Sequence, residues 1–388
     1  MTIPLDMLDV NAAADGPWAL DAPDTTTLVL VGAEDELTGI PQGLAAAIAD
    51  AIGAAVDIDR PEATPPGVPW IVALHVPGLP APLLCWPETE AIDGTGLPED
   101  LEHRHGLVVQ TLLHPGDPLT CLVNIARLLA MIDPAAPGLL DVDTGRWLDR
   151  RVLDRDFLSD AIEPSEDVLW VVEANGGQDG CLVRSRGLAR CGRRELQLSC
   201  VDDRHVDAAA DLVASVAALS LETPLPGEGV QAEVGPGLHV YVLADDSNAR
   251  LVDAHGDTPT DVLQRLTDGV AAIYRTDRSA RRRRSLARVT WSEFLGVAGL
   301  DSHECLVEVP FEDPEGEEQR REHVWMRVES VRGDAVIAVP VHEAAVAVGV
   351  DMSPQRIEAA EVASWRVVLD DQAWGPEQLD LLRVAMRR

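Results

Sequence analysis

The chain has 388 residues and carries 31 basic against 66 acidic side chains, a formal net charge of −35 at pH 7. Every basic residue is arginine, and the lack of lysine excludes Schiff-base, pyridoxal-phosphate, phosphate-loop and kinase chemistry that needs one. A surface this acidic repels polyanions, so nucleic acid is disfavoured as a partner and no membrane is expected.

The length fits two or three cores at roughly 100–200 residues each. Aromatic residues are only 4% of the chain, so burial must come mostly from Leu, Val, Ala and the nine Trp. The six cysteines are scattered without a CxxC pair and read as reduced thiols. The N-terminus has neither a basic residue nor an apolar core of signal-peptide length. No window approaches the ~20 apolar residues that span a bilayer. A cytoplasmic protein is the expectation. A GC-rich genome is the first explanation for the missing lysine, with a saline cytoplasm or escape from a lysine-directed tag as alternatives.

In chain order, residues 1–24 read as an irregular acidic lead-in and Thr27–Val31 as a short strand. A turn and helix follow over Thr38–Gly53, with Pro41 in the first turn and Leu44, Ile48 and Ile52 on the buried face. Two strands, Trp70–Leu74 and Pro82–Trp86, flank a VPGLPA turn, and Gly106–Leu113 is a third. Asp117-Pro118 supplies an N-cap and first-turn proline for a helix that ends at Asp133-Pro134. A second unit has strands at Val168–Val172, Glu195–Cys200 and Leu238–Leu243, and an Ala-rich helix at Val206–Leu219. Thr258-Pro259 opens an amphipathic helix with Val262, Leu266, Val270 and Ile273 on one face. In the third unit Glu304–Phe311, His323–Val328 and Asp334–Val339 read as strands, and Pro376–Met386 as a closing helix. His323, Trp325 and Arg327 share one face of their strand, and Val324, Met326 and Val328 the other.

The predicted fold class is α+β, two mixed α/β units followed by a small, mostly β C-terminal domain. The expected boundaries are 25–150, 151–275, an Arg-rich surface segment at 276–288, and 289–388.

Few constellations carry chemistry. Glu102-His103-Arg104-His105 places two imidazoles on one strand face, but spacing supplies no third ligand, so no metal is expected. Asp141–Gly145 begins like a calcium loop but lacks its acidic closer, and reads as a turn. The acidic stretch 312–322 offers no carboxylate pair beyond what abundance produces. No nucleophile elbow, zinc helix or nucleotide loop occurs, and neither a catalytic residue nor a cofactor is expected. The run Arg281, Arg282, Arg283 and Arg284 could hold a polyanion, or dock on the protein's own acidic surface. Arg184 and Arg186 project to one strand face and, with Arg190, are expected at the surface, as an anion site or paired with local carboxylates. Trp325 and Trp365 are expected to be buried together in one small core.

Two stretches resemble known families. Leu306–Phe311, Glu322-His323-Val324-Trp325 and the run Ile357 to Trp365 resemble a bacterial YegJ-like domain of unknown function. Its pattern is a VK-x-PF strand, an acidic gap, an EH-x-W strand and a closing I-x-x-W element. The resemblance makes Glu322, His323, Trp325 and Trp365 structural motif residues, and Glu308 stands where that family has Lys. Gly187–Leu196 resembles the THGLxRxGxPELE signature of uncharacterised bacterial proteins that often carry the YegJ-like domain at their C-terminus. The family's His-Thr-His is here Arg184-Ser185-Arg186. Some relatives look like immunity proteins, which bind and block a partner.

The leading functional expectation is a non-enzymatic acidic binding protein, an immunity or stress-accessory factor for a partner with a basic surface. A hydrolase with its site between units one and two is one alternative, and a nucleic-acid-mimicking decoy another.

Overall fold

The computed structural model describes residues 19–33, 35–60, 64, 67–88, 98, 101, 105–177, 180–222, 231–245, 248–300, 303–312, 321–341, 353–369 and 372–386. The architecture is α+β. The chain divides into two compact units, one of residues 1–159 and 166–276, the other of 160–165 and 277–388.

The first unit opens with β1 (Thr25–Val31), α1 (Asp35–Gly39), α2 (Pro41–Ile52), β2 (Asp57–Asp59), β3 (Val72–His75), β4 (Leu83–Glu88) and β5 (Gly106–Leu112). After α3 (Pro118–Ile132) come β6 (Gly138–Asp141), β7 (Arg146–Asp149), the single turn α4 (Arg150–Val152) and a π turn at Leu153–Phe157. These strands form one antiparallel sheet in the order β2-β3-β4-β5-β1-β6-β7. β1 is apolar at successive positions because both of its faces are covered. Leu28 and Leu30 join the main core, and Val29 and Val31 pack with Leu101, Val108 and Leu140 on the other side.

Local chemistry sets the helices. Pro41 starts α2 and Gly53, at φ 67°, ends it in the left-handed region that suits glycine. Asp117 caps α3 by accepting the Thr120 N–H at 3.2 Å.

The same unit continues with β8 (Val171–Gly177), β9 (Gly180–Arg186), β10 (Glu195–Val201), α5 (Val206–Glu222), β11 (Gln231–Gly235), β12 (Leu238–Asp245), β13 (Asn248–Val252) and α6 (Thr260–Thr267). This second sheet runs β11-β12-β13-β10-β9-β8, with β10 and β13 parallel and the other neighbours antiparallel. Both sheets feed one hydrophobic core, in which Leu122 and Leu129 share a cluster with Leu198, Val213 and Val240.

Two expected elements differ. Val168–Val172 begins as a 3-10 turn at Glu166–Leu169, and the strand starts only at Val171. The helix expected to reach Ile273 stops at Thr267, leaving Val270 70% exposed. A Schellman stop at Gly269, φ 67°, ends it: the Gly269 N–H reaches the Leu266 carbonyl and the Val270 N–H that of Arg265. The chain then runs beside β11, where the Tyr274 N–H donates to the Val234 carbonyl.

The second unit contains α7 (Asp277–Val289), α8 (Trp291–Ala298), β14 (Glu304–Glu312), β15 (Arg321–Arg332), β16 (Ala335–Pro340), β17 (Gln355–Glu358), β18 (Ser364–Leu369), β19 (Gln372–Trp374) and α9 (Leu379–Ala385). Its antiparallel sheet has the order β17-β16-β15-β14-β18-β19. The Arg-rich stretch is therefore a regular helix of this unit. Its Ala287 packs into the core with Trp291, Phe294, Val307, Met326 and Trp365. Among the described residues no helix is long and apolar enough to cross a membrane.

Burial also sorts the thiols. It drives the Cys85 thiol far above its ordinary value and pushes Cys121 up to about 11, Cys191 to about 12 and Cys305 to about 11. Cys200 is exposed, and Cys181 is half-buried with its S–H donating to Asp203 at 3.3 Å. A maleimide added to native protein at pH 7 should label Cys200 first and leave the four buried thiols until the chain unfolds. Rapid labelling of Cys85 or Cys191 in native protein, read by peptide mass spectrometry, would contradict this packing.

Candidate functional site

Two regions gather the polar side chains that sequence singles out, one in each unit.

In the first unit, residues 184–195 build a locked turn. Leu188–Cys191 form a 3-10 turn between Gly187 at φ 113° and Gly192 at φ 70°. Glu195 clamps it from β10: one carboxylate oxygen accepts the N–H groups of Gly187 (2.8 Å) and Ala189 (3.1 Å), the other the Ser185 hydroxyl (2.6 Å). A Cβ on Gly187 would lie 2.6 Å from the Leu169 carbonyl oxygen. Gly187→Ala should therefore lower stability by about 1–3 kcal/mol, the usual range for enforced backbone strain. An unchanged urea midpoint would refute the role given to this turn.

Arg190 is not at the surface, as its sequence position suggests, but 1% exposed. Its two terminal nitrogens each donate to a separate oxygen of Asp141 at 2.8 Å, and further N–H groups reach the carbonyls of Leu169 and Val168, each at 3.1 Å. Asp143 stands at 3.4 Å, and Asp141 also accepts the Thr144 hydroxyl at 2.7 Å. Burial opposes the charge on Arg190, but Asp141, with Asp143 behind it, overcomes that and raises its pKa. Burial likewise raises the Asp143 carboxyl, against the Thr27 N–H and Arg190. The turn at Asp141–Gly145 delivers carboxylates to a buried arginine. Arg184 and Arg186 both pair with Glu173, at 3.2 and 2.7 Å, and Arg186 also donates to the carbonyls of Asp143 and Thr144. Each of these three arginines thus pairs with a carboxylate of the protein itself.

In the second unit, period-two alternation divides β15. Val324 and Met326 enter the core, while His323, Trp325 and Arg327 face outward. The expectation of two buried tryptophans is corrected here. Trp365 is fully buried, whereas Trp325, facing opposite to Met326, is only half-buried. Trp365 stacks on Phe294 at 5.3 Å and donates its indole N–H to Thr290 Oγ1 at 3.0 Å.

Across the outward face, Trp325 pairs with Glu308 on β14, and Glu308 with Ser364 on β18. Arg283 reaches in from α7, its Nε donating to Ser364 Oγ at 2.8 Å and its Nη1 lying 3.3 Å from Glu308 Oε2. His323 Nδ1 lies 3.5 Å from the other Glu308 oxygen. Arg366 rests 4.3 Å from the centroid of the Trp325 ring, and Arg283 5.8 Å from it.

Arg281 and Arg282 turn instead to Glu163, at 3.4 Å from its carboxylate and 2.7 Å from its carbonyl. Arg284 lines an open cleft of about 440 Å³ with Arg288, Val309, Phe311 and Glu361. The cleft lies where β18 stops pairing at Glu308 while β14 continues beside β15 to Glu312. The Glu322 side chain, residues 102–104 and residues 313–320 lie outside the described residues. Among the described residues no group of three His, Cys, Asp or Glu side chains could hold a metal ion.

Sequence reading missed Glu308, Arg288 and Arg366 as members of this face. The signal for Arg366 was present, since alternation through Ser364-Trp365-Arg366 sends the arginine to the side opposite the buried indole. No protein-family model, curated protein or solved structure matches the chain.

Proposed function

We propose that the protein is a cytoplasmic, non-enzymatic binding protein that presents its acidic surface to a basic protein partner. One observation carries this reading: acidic side chains outnumber basic ones 66 to 31, and few of the acids are buried while several arginines are tied to the protein's own backbone. Arg190 and Arg193 are buried; Arg127, Arg146, Arg193, Arg265, Arg282 and Arg288 donate to backbone carbonyls. Among the described residues, the buried carboxylates are Asp133, Asp141, Asp156, Glu166 and Glu308, a small part of the 66 acids. With a net charge of −35, the field outside is strongly negative. Such a field steers a cationic partner and discriminates against acidic ones. The resemblance of the C-terminal unit to the YegJ-like domain supports the immunity or stress-accessory form of this proposal, in which the partner is bound and blocked.

Capture from source cells, followed by reconstitution with purified components, tests the proposal. The expected partner is basic and forms a defined complex with the purified chain. A reconstituted partner that is acidic, or a complex formed only through nucleic acid, would overturn it.

A further inference from the structure

The outward face of the C-terminal sheet contains an arrangement that the acidic-surface reading does not use. Leu306 on β14 is flanked directly by Arg327 on β15 and by Arg366 on β18. Residues directly opposite across a sheet share a face, so the two arginines stand on either side of a half-buried leucine. Their backbones are two strand spacings apart, roughly 10 Å, a gap that two arginine side chains can close on one small group.

Among the described residues, neither guanidinium has a carboxylate within ion-pair distance. That is unexpected in a chain of net charge −35. Glu304, two residues before Leu306 and opposite Val368, shares the face without pairing to either arginine.

The Trp325 ring explains how the charge is held. The Arg366 guanidinium carbon lies over the ring, 4.3 Å from its centroid, so the indole holds the cation by a cation–π contact. The N–H donors lie in the guanidinium plane and remain directed sideways. An arginine positioned by a ring contact that engages no N–H keeps its donors available to an oxyanion. Trp325 stands opposite Glu308 across the strands, and the Glu308 charge is already met by Arg283 at 3.3 Å and faced by His323 at 3.5 Å. Glu308 therefore does not cancel Arg366.

We propose that Arg327 and Arg366, on the Leu306–Trp325 floor, form a binding site for a phosphate monoester group. The dianion matches two guanidiniums, and its three terminal oxygens can accept from both forks while the ester substituent lies over Leu306 and the indole. The molecule's overall negative field opposes long polyanions, which leaves a small phosphate as the ligand that fits. The site stands whether or not a basic protein is the principal partner.

Calorimetric titration of the full chain at constant ionic strength tests this, with inorganic phosphate, AMP and the dicarboxylate succinate as probes. Wild-type protein should bind AMP and inorganic phosphate, and succinate more weakly. Preference for AMP over inorganic phosphate would identify an organic monoester as the source. Arg327→Gln, at an exposed position, should weaken phosphate binding by about tenfold or more without changing the thermal unfolding midpoint. Arg366→Gln should weaken binding as much, with a small drop in the midpoint from the lost Trp325 contact, while Arg366→Lys should restore little binding because lysine lacks the planar fork. Absence of wild-type binding, equal affinity for succinate, or unchanged binding in Arg327→Gln would each overturn the proposal.

Discussion

Arg190→Met should destabilise the first unit by about 3–5 kcal/mol, the range for removing one partner of a buried ion pair. The substitution fills space with a flexible apolar chain, so little of the cost comes from a cavity. The loss comes from what stays behind. Asp141, 1% exposed, keeps only the Thr144 hydroxyl as a side-chain donor, and the carbonyls of Val168 and Leu169 lose their arginine N–H groups. Combining Arg190→Met with Asp141→Leu removes the stranded charge as well, and should recover a substantial part of the stability. Urea unfolding of the two single variants and the double variant separates these terms. Additive losses in the double variant would show that the pair acts as two independent packing residues.

Trp365→Ala should cost about 3–5 kcal/mol in the C-terminal unit, the usual range for deleting a buried aromatic. Its indole is fully buried, stacks on Phe294 at 5.3 Å and satisfies Thr290 Oγ1 at 3.0 Å, so packing and a buried hydrogen bond fail together. Trp325→Ala should cost far less, about 1 kcal/mol, because it forfeits mainly the contacts with Arg366 and Arg283 on a half-buried face. Thermal unfolding of both variants measures the asymmetry. Equal losses would place Trp325 in the core after all.

Elements set by local chemistry were legible in the sequence. The Asp117-Pro118 start of α3, the Pro41 and Gly53 ends of α2, and the alternation of His323–Val328 each depend on residues within one or two turns. Long-range partners were not legible. Arg190 reads as a surface residue until the chain folds Asp141, 49 residues earlier, against it. The over-extended helix beyond Thr267 has a similar cause: its apolar spacing continues, but Gly269 stops it and the pairing of Tyr274 with Val234 takes over. Alternation placed Trp325 on one face correctly and Met326 on the other, yet aromatic character suggested the wrong face for the core. The short strands β2, β6 and β7, three or four residues each, carry too little pattern to stand out from their turns.

The most direct test of the acidic-surface account is the association rate constant with the reconstituted partner, measured by stopped flow across ionic strength. If the surface steers a cationic partner, the rate constant should fall steeply as salt rises from about 50 to 500 mM, with a much smaller change in dissociation. An association rate that stays flat over that range would contradict the account.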